Sequence, residues 1–416
     1  MVGIIARVEL TTRGMKALFS ALGVLLFGYV LRDLLLVGGV IVFTLFFLTQ
    51  YRLIKRRVML FGELRVHPGS LDESIIAGTG FREPLQITSP LDVVVMLETG
   101  SDWEIIDPTL IYSGDNSVSY RFDSALSGRY SSGPLVGVIE DSYRLLRGSG
   151  ELVFNASFSV YPRVFPIAVR ALEYLFGSSR LGEEEALNLL GGRGGEYAYS
   201  RIYTPGDSLT IFDWKAYART GRPMVKEYYA EQGGGAGVLY DPVVSDPVSL
   251  DVLNSEFLKT VLGYTGVGFP LQLMVLEEGR VQVVASGDKR EALVVALQIS
   301  LRGLVSEFFE YYSVLDPVGQ DKISRLLETK KAPGSNNRYD HLVILSALQS
   351  NPANIINATN TRATVIQPTQ PWLYAPDLAK ATKLYDDNTR KTRLFKKLGF
   401  TTINNLNEMQ NQYVRN

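Results

Sequence analysis

The sequence predicts an all-β domain and an α/β domain behind an N-terminal transmembrane helical hairpin. Three observations carry that expectation. Two apolar runs near the start are parted by a single polar pair. Short alternating runs follow, punctuated by Gly, Pro, Ser or Asp roughly every eight to twelve residues, the pattern of a β-sandwich. From residue 237 onward strand and helix patterns alternate, which favours a mostly parallel sheet.

The apolar runs are ALFSALGVLLFGYVL (Ala17 to Leu31) and LLLVGGVIVFTLFFLT (Leu34 to Thr49). A spanning helix wants about 20 apolar residues and at least about 17. Each run falls slightly short, but flanking Tyr, Arg and Lys can snorkel and the bilayer can thin. One continuous span would set Arg32 and Asp33 at the bilayer centre, which is expensive; two helices joined by a tight polar turn avoid that. Arg7, Arg13 and Lys16 precede the first run, and Arg52, Lys55, Arg56 and Arg57 follow the second. The positive-inside rule then predicts a two-pass cell-membrane protein with its soluble domains in the cytoplasm. A hairpin that dips into the bilayer without crossing is the alternative. A cleaved signal peptide fits less well, because no small-residue cleavage site precedes the second run. This segment takes residues 1–57.

Composition bounds the chemistry. The chain has 416 residues, too many for one typical core. Its 42 basic and 43 acidic residues leave a net charge of −1 and no reason to propose nucleic acid. With no cysteine, disulfides, thiol catalysis and Cys-ligated zinc are excluded. His67 and His341 are the only histidines, too few for a His-rich metal site, and each reads as an ordinary surface or strand-end residue.

The sandwich is expected over 58–165, from PLQITSP, DVVVMLET, PTLIYSG, SVSYRFD and ELVFNASFSVYP, each read as one strand. FPIAVRALEYLFG (Phe165 to Gly177) has helical spacing and stops at glycine. GGRGGEY (Gly191 to Tyr197) lacks the Lys-Ser/Thr of a phosphate loop and reads as linker, so any nucleotide energy would come from a partner. QGGGAG (Gln232 to Gly237) reads as a second linker, and 166–236 forms one segment. In 237–416, GVLYD, DHLVILSAL and RATVIQP read as strands, and PLQLMVLEEGRVQVVAS as a hairpin about Glu278-Gly279. SLDVLNSEFLKTVLGYTG and DKREALVVALQISLRGLVSEFFEYYSV read as helices, and DDNTRKTRLFKKLGFTTIN as a helix and a last strand.

YTPGDSLTIFDWKAYARTGRPMVKEYYAE (Tyr203 to Glu231) is the densest run of specific side chains. Pro205-Gly206-Asp207 reads as a turn. Asp213 suits the N-cap of a short helix from Trp214, and Gly221 the left-handed position that ends it. Ile211, Trp214 and Ala218 share one face, expected to pack inward against the next domain. PMVKEYYAE then alternates as a strand, with Met224, Lys226 and Tyr228 on one face and Val225, Glu227 and Tyr229 on the other. Two readings stay open for Tyr203, Gly206, Asp207, Asp213, Trp214, Lys215, Arg219, Lys226 and Glu227. Arg201, Arg219 and Lys226 could pair with Asp207, Asp213 and Glu227 in a buried clasp between domains. The same set could instead line a cleft for a partner loop or a phosphate-bearing ligand, since Arg suits bidentate recognition.

This stretch resembles the signature of the DUF58 family through Tyr203, Pro205-Gly206-Asp207, Ile211, Asp213-Trp214-Lys215, Ala218-Arg219, Gly221, Val225-Lys226 and Glu227. The resemblance extends to Thr11-Thr12-Arg13-Gly14 before the hairpin, Arg129-Tyr130 with Gly133-Pro134, and the run Val160 to Arg163. It implies a membrane-anchored protein working with a MoxR-type AAA+ ATPase, and a C-terminal domain similar to von Willebrand factor A domains. Such a domain binds its metal through Asp-x-Ser-x-Ser. Here Asp241 and Ser245 survive but Val243 replaces the middle hydroxyl, so no cofactor is expected and a magnesium ion at this degenerate site is a remote alternative.

The expected function is a non-catalytic scaffold or adaptor in protein assembly or remodelling, with bilayer and ATPase as partners. One alternative is an enzyme or phosphate-ligand-binding protein using the signature cleft. Another is a surface-exposed binding protein of reversed topology.

Overall fold

The computed structural model describes residues 7–99, 104–177, 197–203, 212–228, 235–267, 270–313, 317–328, 339–357 and 362–403. The chain divides into two compact units, Met1–Tyr161 and Pro162–Asn416.

The first unit opens with a strand that the sequence pattern did not reveal, β1 (Arg7–Leu10). Thr11 then caps α1 (Thr12–Leu31), accepting the amide of Gly14 at 3.0 Å. Arg32 turns the chain in the left-handed region (φ 54°), and Asp33 caps α2 (Leu34–Met59) by accepting the amides of Leu35 and Leu36. The polar pair is thus a C-cap followed by an N-cap, the local chemistry that lets the hairpin reverse. Both helices are long and apolar enough to cross a membrane. They run past the apolar stretches at the base of the hairpin, and α2 ends inside the β domain.

Three sheets surround one apolar core. The first has the order β1, β11 (Leu146–Leu152), β10 (Leu135–Glu140), β5 (Val95–Glu98), β7 (Leu110–Ile111) and is antiparallel throughout. The second, also antiparallel, is β2 (Arg65–His67), β4 (Phe81–Ser89), β8 (Gly114–Phe122), β6 (Glu104–Asp107). The third is β3 (Ser70–Ile76), β12 (Asn155–Tyr161), β9 (Gly128–Ser131), with β3 and β12 parallel. The single strand expected over ELVFNASFSVYP is two, because the chain turns at Val153-Phe154 to change sheets. Ile54, Val58 and Phe61 are buried with Leu85, Tyr120, Phe122 and Phe158. The end of α2 is therefore part of this core.

The second unit begins with α3 (Val164–Leu175). Its central sheet has the order β17 (Arg280–Ser286), β16 (Leu271–Glu277), β15 (Gly235–Asp241), β18 (Tyr339–Ser346), β19 (Arg362–Ile366), β20 (Thr401–Ile403). All pairs are parallel except β16 with β17, which reverse at Glu278 (φ 49°) and Gly279 (φ 78°) as expected. Two readings are corrected. Gly235 to Gly237, expected as the end of a linker, open β15; Gly237 lets the Tyr339 ring pass close to the strand. The long helix expected after Asp288 is α6 (Lys289–Ser300) and α7 (Val305–Tyr311), bent by 100°. Gly303, at φ 80°, takes the left-handed conformation that ends the run.

Candidate functional site

Strand order decides where a ligand or partner surface forms in this kind of sheet. From β15 the chain first moves outward to β16 and β17, then returns to place β18 on the other side. The carboxyl ends of β15 and β18 thus flank a switch point, the place where open α/β sheets carry their sites. Asp241 ends β15 and Ser346 ends β18.

Asp241 is fully buried, and its charge is satisfied from within. The hydroxyls of Ser346 and Ser350 both donate to Oδ2 at 2.6 Å, and the Val243 amide donates to Oδ1 at 3.2 Å. Ser346 Oγ accepts the Leu348 amide at 2.8 Å, fixing the loop while Leu348 sits at φ 56°. Lys391 of α10 (Leu378–Lys397) closes this loop. Its Nζ donates to the carbonyls of Leu348 (2.9 Å) and Gln349 (3.3 Å) and pairs with Asp387 at 2.7 Å. Next door, Thr369 Oγ1 donates to Ser249 Oγ, whose amide donates to Asp246.

Of the two metal-ligand candidates, Ser245 accepts from Gln349 Nε2 at 3.1 Å and Asp241 is engaged as above. Val243 between them is exposed. Among the described residues no cluster of three or more His, Asp or Glu gathers. This donor set does not fit a magnesium ion, which demands a near-octahedral shell of oxygens. Behind the carboxylate, Tyr240 stacks on Phe257 at 4.2 Å and donates to Asn254 Oδ1. Burial, then the neighbouring Asp241 charge, push its phenol well above the usual tyrosine range.

The same strand-end edge carries exposed apolar side chains. Pro371–Tyr374 forms a 3-10 turn between β19 and α10, with Trp372 edge-on to Tyr385 at 5.4 Å. Leu373, Tyr374, Leu378, Val243 and Leu250 are exposed around it.

The signature segment forms a separate element. β13 (Tyr197–Ile202) pairs antiparallel with β14 (Met224–Tyr228), and the Tyr203 amide donates to Pro223 at 2.9 Å. Asp213 is buried and caps α4 (Trp214–Thr220), accepting the Ala216 amide at 2.9 Å; Gly221 ends the helix at φ 65°. Both caps stand where the sequence put them. The inward face does not: Trp214 is 71% exposed and Ala218 is exposed, while Ala216 and Val225 are buried. A seven-residue helix on a two-stranded ribbon buries its capping turn and one small residue, and leaves the indole outside. Trp214 packs instead with Phe212 (4.5 Å) and Tyr217 (6.4 Å). Lys215, Arg219 and Arg222 are exposed on the same element, and Arg219 Nε donates to the Lys215 carbonyl. Gly206, Asp207 and Ile211 lie outside the described residues, as do the side chains of Arg201, Lys226 and Glu227 in β13 and β14.

His67 is exposed at the end of β2, and His341 lies in β18 with Nε2 3.3 Å from Thr364 Oγ1. Sequence reasoning missed Ser346, Ser350 and Lys391. A second polar cluster after an apolar strand, LSALQS, hinted at the two serines, and nothing local at Lys391.

Residues 199–249 match the family described as "Protein of unknown function DUF58". No curated protein matches the chain. Among solved structures, the ASH/PapD-like domain of human CEP192 is 13% identical, over 24% of this chain and 84% of that one, with a TM-score of 0.19. WR4, a C. elegans MSP family member, is 10% identical over 24% of this chain and 99% of that one, with a TM-score of 0.18. At these scores neither likeness bears on fold or function.

Proposed function

We propose, on the premise of the match between residues 199–249 and the DUF58 family, that the chain is a membrane-anchored, non-catalytic adaptor. The α1–α2 hairpin holds it on the cytoplasmic face of the cell membrane. The strand-end edge of the second unit, which we read as similar to a von Willebrand factor A domain, docks a protein partner. Family resemblance makes that partner a MoxR-type AAA+ ATPase, and the task assembly or remodelling of other proteins.

The closed Asp241 network carries this reading. A catalytic or metal-binding carboxylate at a switch point keeps an oxygen available, whereas here two serine hydroxyls and an amide engage both oxygens. What the edge offers outward is apolar: Leu373, Tyr374 and Leu378. Exposed apolar groups rimmed by polar ones mark protein contact sites. The exposed aromatic and basic face of α4 supports a second contact on the same partner.

A photo-crosslinking residue at position 373, introduced into the full chain in native membranes, tests this. The expected product is one crosslinked band containing an AAA+ ATPase, absent when the probe sits at position 115 on β8. Equal labelling from both positions, or none from 373, would contradict strand-end docking.

A further inference from the structure

We propose that the base of the hairpin binds anionic phospholipid headgroups, through a cationic collar and a tyrosine loop that enter the headgroup layer. This rests on the hairpin being a membrane anchor, and adds which lipids it selects.

The first turns of α1 and the last turns of α2 lie side by side, because the two helices are antiparallel and Gly28 seats against Leu36 and Val37 at their tip. Arg13 and Lys16 project from one, and Arg52, Lys55 and Arg56 from the other; all five are exposed. The β domain adds a sixth. In the loop Asp141–Leu145, the amides of Tyr143, Leu145 and Leu146 all donate to the buried Asp141 carboxylate, so its charge is satisfied inward. Arg144, at φ 55°, turns outward and is exposed. Thr11 ties this loop to the start of α1, its amide donating to Leu145 O at 3.0 Å and its hydroxyl to Arg144 O. Among the described residues the opposing exposed acids are Glu9 on β1, Glu63 in the turn that follows α2, and Glu140, 3.9 Å from Arg144. Arg57 is engaged elsewhere, with Asp92. Cations therefore outnumber acids at this end of the hairpin.

Two further observations place the collar among phosphates. The Tyr143 ring meets Phe46 edge-on at 5.1 Å, within the apolar stretch of α2, and yet is 59% exposed. Tyrosine beside apolar helix and exposed cations is the composition of a membrane–water belt. Length points the same way. From Leu34 to Gln50 a helix rises roughly 25 Å, short of the ~30 Å hydrocarbon core. Burying that whole arm draws the base into the headgroups, where juxtamembrane cations attract anionic lipid.

The test uses the full chain reconstituted in vesicles of phosphatidylcholine with phosphatidylglycerol, followed by detergent extraction and mass spectrometry of retained lipid. Wild type should retain phosphatidylglycerol several-fold above its bulk share, and high salt should abolish the excess. The variant R13Q/K16Q/R52Q/K55Q/R56Q should lose it at an unchanged unfolding temperature. If that variant does not fold, the salt series on wild type still decides. Retention at the bulk ratio, or an excess indifferent to salt and variant, would overturn the collar. Vesicles of phosphatidylcholine alone separate the anchor from the collar. If an alkaline wash strips the protein from both compositions, the anchor itself is wrong; if it stays on both but retains no phosphatidylglycerol excess from the mixed vesicles, only the collar is.

Discussion

Gly148 on β11 lies against Val58 of α2: a β-carbon on Gly148 would stand 2.4 Å from Val58 Cγ2 and 2.8 Å from Ile54 Cγ2. Two strand residues on, a β-carbon on Gly150 would meet the Phe61 ring at 2.4 Å. The second hairpin helix is thus pressed into the sheet at bare-backbone positions. β1 pairs with the same strand, placing Arg7 opposite Ser149. Both ends of the hairpin are fastened to β11.

Gly148→Val should destabilise the first unit by about 1–3 kcal/mol through overpacking. Gly23→Ala, on an open face of α1 with nothing within 4 Å, should be neutral or stabilising by up to about 1 kcal/mol. Thermal unfolding in detergent reads both. Equal melting of Gly148→Val and wild type would mean that α2 is not seated on β11.

Removing the α4 cap by Asp213→Ala should cost about 1 kcal/mol, and Asp213→Asn much less, since Asn caps nearly as well. Hydrogen exchange at the Ala216 amide, which donates to Asp213, reads the cap directly. Unchanged protection in the alanine variant would refute the capping role.

Ser346→Ala and Ser350→Ala each take one donor from the buried Asp241 carboxylate. Each should destabilise the second unit by about 1–3 kcal/mol. Their effects should not add, because the two hydroxyls share Oδ2. A double-mutant cycle measures the coupling; strict additivity would show that the two serines act independently.

Asp251 bonds the Arg163 amide and guanidinium, yet burial, the largest influence, raises its carboxyl above the usual range despite those contacts. The folded state therefore holds this proton more tightly than the unfolded chain. Its contribution is fully present below the unfolded value near 3.8 and is lost as pH rises through the higher folded value. Urea titrations of wild type and Asp251→Asn across that window should show wild type losing stability relative to the variant as pH rises. The opposite slope would mean that the Arg163 pairing outweighs desolvation.

What could be read from sequence was what local chemistry determines. Asp213 and Gly221 declare a helix by themselves, and Glu278-Gly279 a hairpin, because caps and tight turns need only neighbours. Contacts between distant residues were not legible. β1 is four residues long and pairs with a strand some 140 positions later, so nothing near Arg7 signals it. Asp241 could be noticed, but the serines that satisfy it sit more than a hundred residues on. Apolar spacing gave Trp214 a face without saying what, if anything, covers it. Leu301 and Leu304 continue the helical period across the break, so only the conformation of Gly303 reveals it.

The proposed function rests on docking of an AAA+ ATPase at the strand-end edge. The most direct test compares full-length wild type, Tyr374→Asp and Trp214→Ala in purification from native membranes, with co-purified ATPase quantified and melting temperatures measured alongside. The ATPase should follow wild type, fall at least tenfold with Tyr374→Asp and fall less with Trp214→Ala, both at an unchanged melting temperature. Undiminished ATPase with Tyr374→Asp, or none with wild type, would contradict that docking.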